Sequence, residues 1–270
     1  MEYTIKKISI ILATYNEKEN IGRLIDEISD HLTDYDYEII VVDDDSPDKT
    51  WEIVENRCEK NDKLSLIRRI DKRGLTSALN CGIRNSSGDV IVWLDCDFQM
   101  PPEKILELLR RIESGNDVAI GSRFVKGGGD VRDEGSDYKS IINFHKKLST
   151  FLCLLTSKIF KTDFTDWTSG FIAIKRKVFE EKLLYGDYGE YFIYLMHYVI
   201  NSNYKYIEVP YVLVERLYGE SKTTGNLISV FTKGIKYLRA IFILKIIELS
   251  YYKIYKKYDR DEKSVLAEKE

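Results

Sequence analysis

Short runs of apolar, largely β-branched residues alternate along the first half of the chain with segments of helical period. The runs are 7–14 (KISIILAT), 37–43 (YEIIVVD), 64–69 (LSLIRR), 89–95 (DVIVWLD) and 117–122 (DVAIGS). They are too uniformly apolar to alternate between a wet and a dry face, which predicts strands buried on both sides, as in a parallel sheet covered by helices. Between them, 20–32, 47–60, 76–86 and 101–114 place apolar residues three and four apart, the spacing of amphipathic helices. Pro47 and the pair Pro101 and Pro102 fit helix starts, Pro47 behind a capping serine. The pattern predicts a doubly wound α/β unit whose ligand crevice lies beyond the carboxyl ends of its strands.

Polar residues collect at those ends. TYNE (14–17) follows the first run, DDDSPD (43–48) the second and DCDFQ (95–99) the fourth. Asp43 and Asp44 suit either capping of the next helix or ligand binding. Asp95 and Asp97 have no such structural task, because the next helix start lies further on at the prolines. Residues 95, 97 and 99 project to one side of an extended chain, so Asp95, Asp97 and Gln99 form an oxygen-rich site for a hard cation that shares phosphate ligands. No GxGxxG follows the first strand and no GxxxxGK[ST] occurs. A metal that itself holds the phosphates fits a nucleotide-sugar transferase better than a dehydrogenase or an ATPase.

Composition narrows the class. The chain has 270 residues, 44% of them hydrophobic and 31% charged, with a formal net charge of −3, which excludes bulk affinity for nucleic acid. The four cysteines are scattered without metal spacing and no secretory segment opens the sequence, so a reduced, cytoplasmic compartment is expected.

The blocks 8–21, 38–50, 73–83, 95–103, 121–128, 166–176 and 216–222 resemble, in this order, family 2 glycosyltransferases, most closely the dolichol-phosphate mannose synthases and polyprenyl-phosphate sugar synthases. The resemblance spans roughly residues 7–223. It implies a GT-A catalytic domain over 1–225 and Mg²⁺ or Mn²⁺ as cofactor, held by Asp95 and Asp97 of the DxD element with Gln99. It implies donor contacts from Ala13, which stands where the family has proline, and from Tyr15, Glu17, Asp43, Asp44 and Cys96. Arg123 matches a phosphate-holding arginine, and Lys222 a basic residue on a loop closing over the donor. Where the family has an arginine four residues before a serine for the acceptor phosphate, this chain has His145 before Ser149, with Lys146 and Lys147 beside it. Asp166 falls beside the donor sugar; capping or a turn beside Gly170 is its structural alternative.

The implied reaction is inverting transfer of a hexose, mannose foremost, from GDP-mannose or a UDP-hexose to a polyprenyl phosphate. That acceptor is already anionic and needs cations rather than a strong base. Two alternatives stand beside it. A transferase of the same fold acting on a glycan hydroxyl would need a carboxylate base, for which Asp166 is the candidate. A noncatalytic nucleotide-sugar-binding protein would release no nucleoside diphosphate.

No apolar run reaches the roughly 20 residues of a spanning helix. Residues 144–160 and 227–258 combine apolar and aromatic residues with lysines, which suits helices lying at the cytoplasmic face of a membrane, or core packing, or contact with a second copy or a membrane-protein partner. An amphipathic extension over 226–258 and a charged, disordered tail over 259–270 complete the expected organisation.

Overall fold

A computed structural model describes residues 3–132, 139–180, 182–218, 232 and 234–250. The elements in chain order are β1 (Ile8–Thr14), α1 (Ile21–His31), β2 (Tyr37–Asp43), α2 (Thr50–Cys58), β3 (Leu64–Arg68), α3 (Leu75–Asn85), β4 (Val90–Trp93), α4 (Lys104–Glu113), β5 (Val118–Ser122), β6 (Gly129–Asp130), α5 (Lys139–Phe160), β7 (Ile172–Lys175), α6 (Tyr191–Asn201), β8 (Tyr206–Pro210) and β9 (Val212–Leu213). Residues 234–250 form a further helix, α7.

The main sheet has seven strands in the order β3-β2-β1-β4-β7-β5-β8. All neighbours run parallel except β7, which lies antiparallel between β4 and β5. Successive crossovers run outward through β2 and β3 and then return to β4 on the other side of β1, which makes the edge between β1 and β4 a topological switch point. Thr14, Asp43 and the 95–99 segment all lie at this carboxyl rim. Both faces of the strands are covered, as the apolar runs require: Ile10, Leu12, Ile39 and Val41 pack with α1 and α4, while Ile11, Ile91 and Trp93 pack with α3 and α6.

Several helix starts differ from the sequence expectation. Helix α2 begins at Thr50 rather than Pro47, because Asp48 accepts both the Thr50 N–H (3.0 Å) and its Oγ1 hydroxyl (2.6 Å), while Lys49 takes a left-handed conformation (φ 64°). Helix α4 starts at Lys104, with the carbonyls of Pro101 and Pro102 accepting its first N–H groups. Strands β7 and β8 and the short pair β6 and β9 were not expected from the pattern.

Helix α7 buries Ile241 and Leu244 in the cluster that holds α6, and Ala240 is buried beside them in sequence. Lys245 Nζ donates to the Ile159 carbonyl at the end of α5 (3.0 Å), and His197 of α6 meets Glu248 (3.1 Å). A Cβ at Gly189 would collide with the Tyr237 hydroxyl, so this glycine is what lets α7 approach the start of α6. One face of the expected extension is therefore core; the 259–270 tail lies outside the described residues.

At the opposite rim Glu38 collects the Ser9 hydroxyl (2.6 Å), the Ser87 N–H (2.6 Å) and Lys7 Nζ (3.1 Å). Burial opposes ionisation, but these donors outweigh it and hold the carboxyl at about 2, below its ordinary 4.5. A depressed folded pKa adds stability above the unfolded value and loses it as pH falls toward the folded one. Glu38→Gln is thus expected to melt below wild type at neutral pH, with the gap closing as pH drops from 4.5 toward 2. Parallel melting-temperature curves for the two proteins over that range would contradict it.

Candidate active site

The rim between β1 and β4 is built by short polar turns. Phe98 adopts a left-handed conformation (φ 63°) in the middle of the 95–99 turn. Asp97 is buried, and its Oδ1 accepts the Gln99 N–H (3.0 Å), fixing the turn. Gln99 Nε2 donates to the Val214 carbonyl (3.1 Å), which orients the amide and leaves its oxygen for a cation. Residues 214–217 fasten onto this turn through Val214 N–H to Gln99 O and Leu217 N–H to Asp97 O, both 3.3 Å.

That fastening delivers Arg216. Its Nη2 lies 2.6 Å from Asp97 Oδ2 and its Nη1 3.6 Å from Glu17 Oε1. Its Nε is buried without a hydrogen-bond partner among the described residues. A guanidinium thus already pairs with the carboxylate expected to grip a metal, so an ion bound there would share or displace that contact. Among the described residues no three His, Cys, Asp or Glu side chains converge on one point. Asp95, Asp97 and the Gln99 amide oxygen are hard oxygen donors of the kind that would suit Mg²⁺ or Mn²⁺.

The other expected donor contacts surround this point. Glu17 is buried and accepts the Asn20 side-chain amide (3.0 Å), while Arg73 stacks over the Tyr15 ring (4.8 Å). Asp43 is fully engaged by the Thr14 and Ser46 hydroxyls (2.7 Å each) and the Ser46 N–H (2.8 Å), so its carboxylate joins the loops after β1 and β2. Asp44 forms a buried pair with Arg69 (Nε 2.6 Å) and accepts the Gly74 N–H (2.8 Å), anchoring the 69–74 loop beside the crevice. Cys96 is buried in the core and turns its thiol to the Ala13 carbonyl (3.7 Å). Lys222 lies outside the described residues.

Next to the rim, Arg123 and Asp166 form a bidentate pair. Asp166 Oδ2 accepts the Arg123 N–H and Nε, both 2.9 Å, and Oδ1 accepts Nη2 at 2.6 Å; the side chains are 8% and 0% exposed. Burial alone would favour loss of the guanidinium's charge, but Asp166 overrides it and raises the pKa well above the ordinary value. Thr168 links Arg123 (2.7 Å) to Ser149 (3.0 Å). Burial pushes the neighbouring Cys153 thiol up to about 12, so it stays protonated.

Asp95, Gln99, Arg123, His145 and Ser149 line one cavity of about 370 Å³. Lys146 instead faces Asp130 (3.7 Å). Three lining or rim residues escaped the sequence reading: Arg216, Arg132 and Tyr211. Arg216 lay inside the RLYGESK block and could have been singled out there; Arg132 and Tyr211 carried no local signal. The cavity's apolar wall comes from α5 and α7: Leu148, Phe151, Ile235 and Leu238 line it and are also exposed, so its mouth opens between these helices.

Comparison with known proteins agrees with this architecture. A family model described as Glycosyl transferase family 2 matches residues 9–183. A dolichol-phosphate mannosyltransferase of Pyrococcus furiosus is 39% identical over 244 residues, covering 88% of this chain; the chain spans 63% of that relative's length. A polyprenol monophosphomannose synthase of Mycolicibacterium smegmatis is 30% identical over 80% of this chain and 81% of the relative. Among solved structures, glucosyl-3-phosphoglycerate synthase of Mycobacterium tuberculosis, in complex with Mn²⁺, UDP-glucose and phosphoglyceric acid, superposes with a TM-score of 0.67 over 89% of this chain and 80% of that one, at 17% identity. That likeness is one of fold, the GT-A arrangement.

Proposed function

From the premise that the chain belongs to glycosyl transferase family 2, we propose that it is an inverting, metal-dependent transferase moving mannose from GDP-mannose to a polyprenyl phosphate. One observation carries the acceptor class. A single cavity joins the carboxylate rim to buried Arg123 and to a mouth of exposed apolar side chains. A phosphate on an apolar chain matches both walls, whereas a soluble saccharide would leave the apolar wall unmatched.

Asp95, Asp97 and the Gln99 oxygen would hold Mg²⁺ or Mn²⁺, which when bound supplies positive charge to the donor diphosphate. Arg216, already seated between Asp97 and Glu17, would stabilise the diphosphate as its charge grows, its Nε, which has no partner among the described residues, reaching a phosphate oxygen. Lys222 would add to this from the following segment. Tyr15 and Glu17 would border the nucleoside, with Asp43 and Asp44 holding the loops that shape its site. Arg123 and Ser149 would orient the acceptor phosphate so that its oxygen faces the sugar. Asp166 has both oxygens committed to Arg123, which argues for a phosphate acceptor over a hydroxyl that needs a base.

The decisive assay supplies purified protein and Mn²⁺ with GDP-mannose or UDP-hexoses and polyprenyl phosphate in detergent. Mannolipid formed from GDP-mannose and abolished by chelator is expected; transfer only to free saccharides would reject the acceptor assignment.

No helix among the described residues is long and apolar enough to cross a membrane. Helix α5 exposes Phe144, Phe151 and Leu154, and α7 exposes Leu238, Phe242 and Leu249. Resting these faces in the lipid interface would place the cavity mouth where a polyprenyl chain emerges. Each such side chain contributes about 1.5–3 kcal/mol on full burial. Leu154→Ser with Phe242→Ser, neither of which lines the cavity, should therefore weaken co-sedimentation with anionic lipid vesicles about tenfold or more without lowering the melting temperature. Unchanged sedimentation would remove the membrane contact from the proposal.

A further inference from the structure

The cavity holds a polar group that no described residue satisfies. Tyr211 is 2% exposed, and its hydroxyl has no hydrogen-bond partner among the described residues. Its ring is fixed edge-on against Phe171 (centroids 5.6 Å) and its N–H donates to the Ser122 carbonyl (3.1 Å). A buried hydroxyl left unpaired is costly, so a native structure that retains one has a use for it. Burial raises this phenol's pKa, with Arg123, Asp166, Asp95 and Arg132 as the charges that act on it, so it remains a neutral O–H donor.

Arg132 reaches the same wall by a short ladder. Strand β6 pairs with β9 in parallel, Gly129 opposite Val212 and Asp130 opposite Leu213, and the Gly129 N–H donates to the Tyr211 carbonyl (3.1 Å). Asp130 then clamps Arg132 fork to fork, through Nε (2.9 Å) and Nη2 (2.6 Å). The clamp fixes the plane of the guanidinium, and among the described residues nothing engages Nη1. Both residues line the cavity together with Arg123.

We propose that Arg132 and Tyr211 complete a cradle for the acceptor's phosphate, Arg132 supplying a second guanidinium opposite Arg123 and the Tyr211 hydroxyl donating to a phosphate oxygen. Asp130 is the positioning residue that holds Arg132 in plane. The inference rests on the polyprenyl-phosphate reading above. An anion with several acceptor oxygens can engage two arginine forks and a phenol at once, and the apolar wall beside them selects a phosphate monoester carried on a hydrocarbon.

Isothermal titration with citronellyl phosphate, with citronellol as its phosphate-free control, tests binding; steady-state kinetics with polyprenyl phosphate and GDP-mannose test its role. Wild type is expected to bind citronellyl phosphate and not citronellol. Arg132→Gln should weaken that binding, and raise the acceptor KM, about tenfold or more, with Arg132→Lys recovering part of it. Tyr211→Phe, which deletes one oxygen and keeps the ring packing, should give a several-fold rise in acceptor KM at unchanged donor KM and melting temperature. If wild type makes mannolipid and both variants bind citronellyl phosphate as tightly as it does, the cradle is wrong while the function stands. A rise confined to the donor KM would move both residues to the sugar and equally overturn the cradle. A wild type that binds GDP-mannose but neither takes citronellyl phosphate nor makes mannolipid would defeat the acceptor reading itself.

Discussion

Asp97→Ala is expected to cut turnover on the order of 10³-fold, the upper range for removing a preorganised electrostatic group, because one carboxylate serves several purposes here. Its Oδ1 fixes the 97–99 turn through the Gln99 N–H, and its Oδ2 seats Arg216. It is also one of the two anionic groups expected to grip the cation. Asp97→Asn separates these roles. The amide oxygen can still accept the Gln99 N–H and the side chain keeps its volume, so the fold and the turn survive, but the negative charge that draws both the metal and Arg216 is gone. Turnover of the Asn variant should therefore fall nearly as far as that of the Ala variant, with a melting temperature close to wild type. Wild type in excess chelator should reach the same floor. Steady-state mannolipid synthesis with and without Mn²⁺ reads all of these arms. Asp97→Ala turning over at the wild-type rate, or a wild type indifferent to chelator, would remove the metal assignment.

What made Asp97 legible in the sequence was its place beside a strand end. A fully buried strand is a local pattern, so Tyr37–Asp43 and Val118–Ser122 could be bounded closely, and the carboxylates beyond 93 followed. Strand β7 could not be found this way. Its four residues, Ile172–Lys175, form too short a run to distinguish from a loop, and its antiparallel insertion depends on β4 and β5 being present on either side. The start of α2 was misplaced for a related reason: Pro47 carries a helix-start signal, but the side chain of Asp48 competes for the first turn and wins. The partners of the site residues were the least legible. Arg216 meets Asp97 only because residues 214–217 return to the 97–99 turn from across the fold, and Arg132 meets the Tyr211 region only through a two-residue ladder. No spacing along the chain encodes either contact. Asp166 was visible as a candidate, but its commitment to Arg123 was not.

That commitment yields the second large effect. Asp166→Ala should destabilise the protein by about 3–5 kcal/mol, because it strands the Arg123 guanidinium in a site where it is 8% exposed and loses a bidentate partner that is fully buried. For a domain of this size, such a loss lowers the melting temperature by on the order of 10 °C. The Arg123 backbone N–H loses its acceptor as well, and Thr168 loses the carboxylate oxygen that its N–H meets at 3.3 Å. Asp166→Asn keeps the shape and one acceptor oxygen, so it should melt between wild type and the Ala variant. The two acceptor classes then predict different kinetics for Asp166→Asn. If Asp166 positions Arg123 for a phosphate, the acceptor KM rises and kcat falls only modestly, because no proton has to be taken by this carboxylate. If it were the base for a sugar hydroxyl, kcat would collapse by about 10²–10⁴-fold with the acceptor KM little changed. The split between acceptor KM and kcat in this one variant therefore decides whether the carboxylate holds an arginine or takes a proton, and a collapsed kcat at an unchanged acceptor KM would overturn the phosphate-acceptor reading.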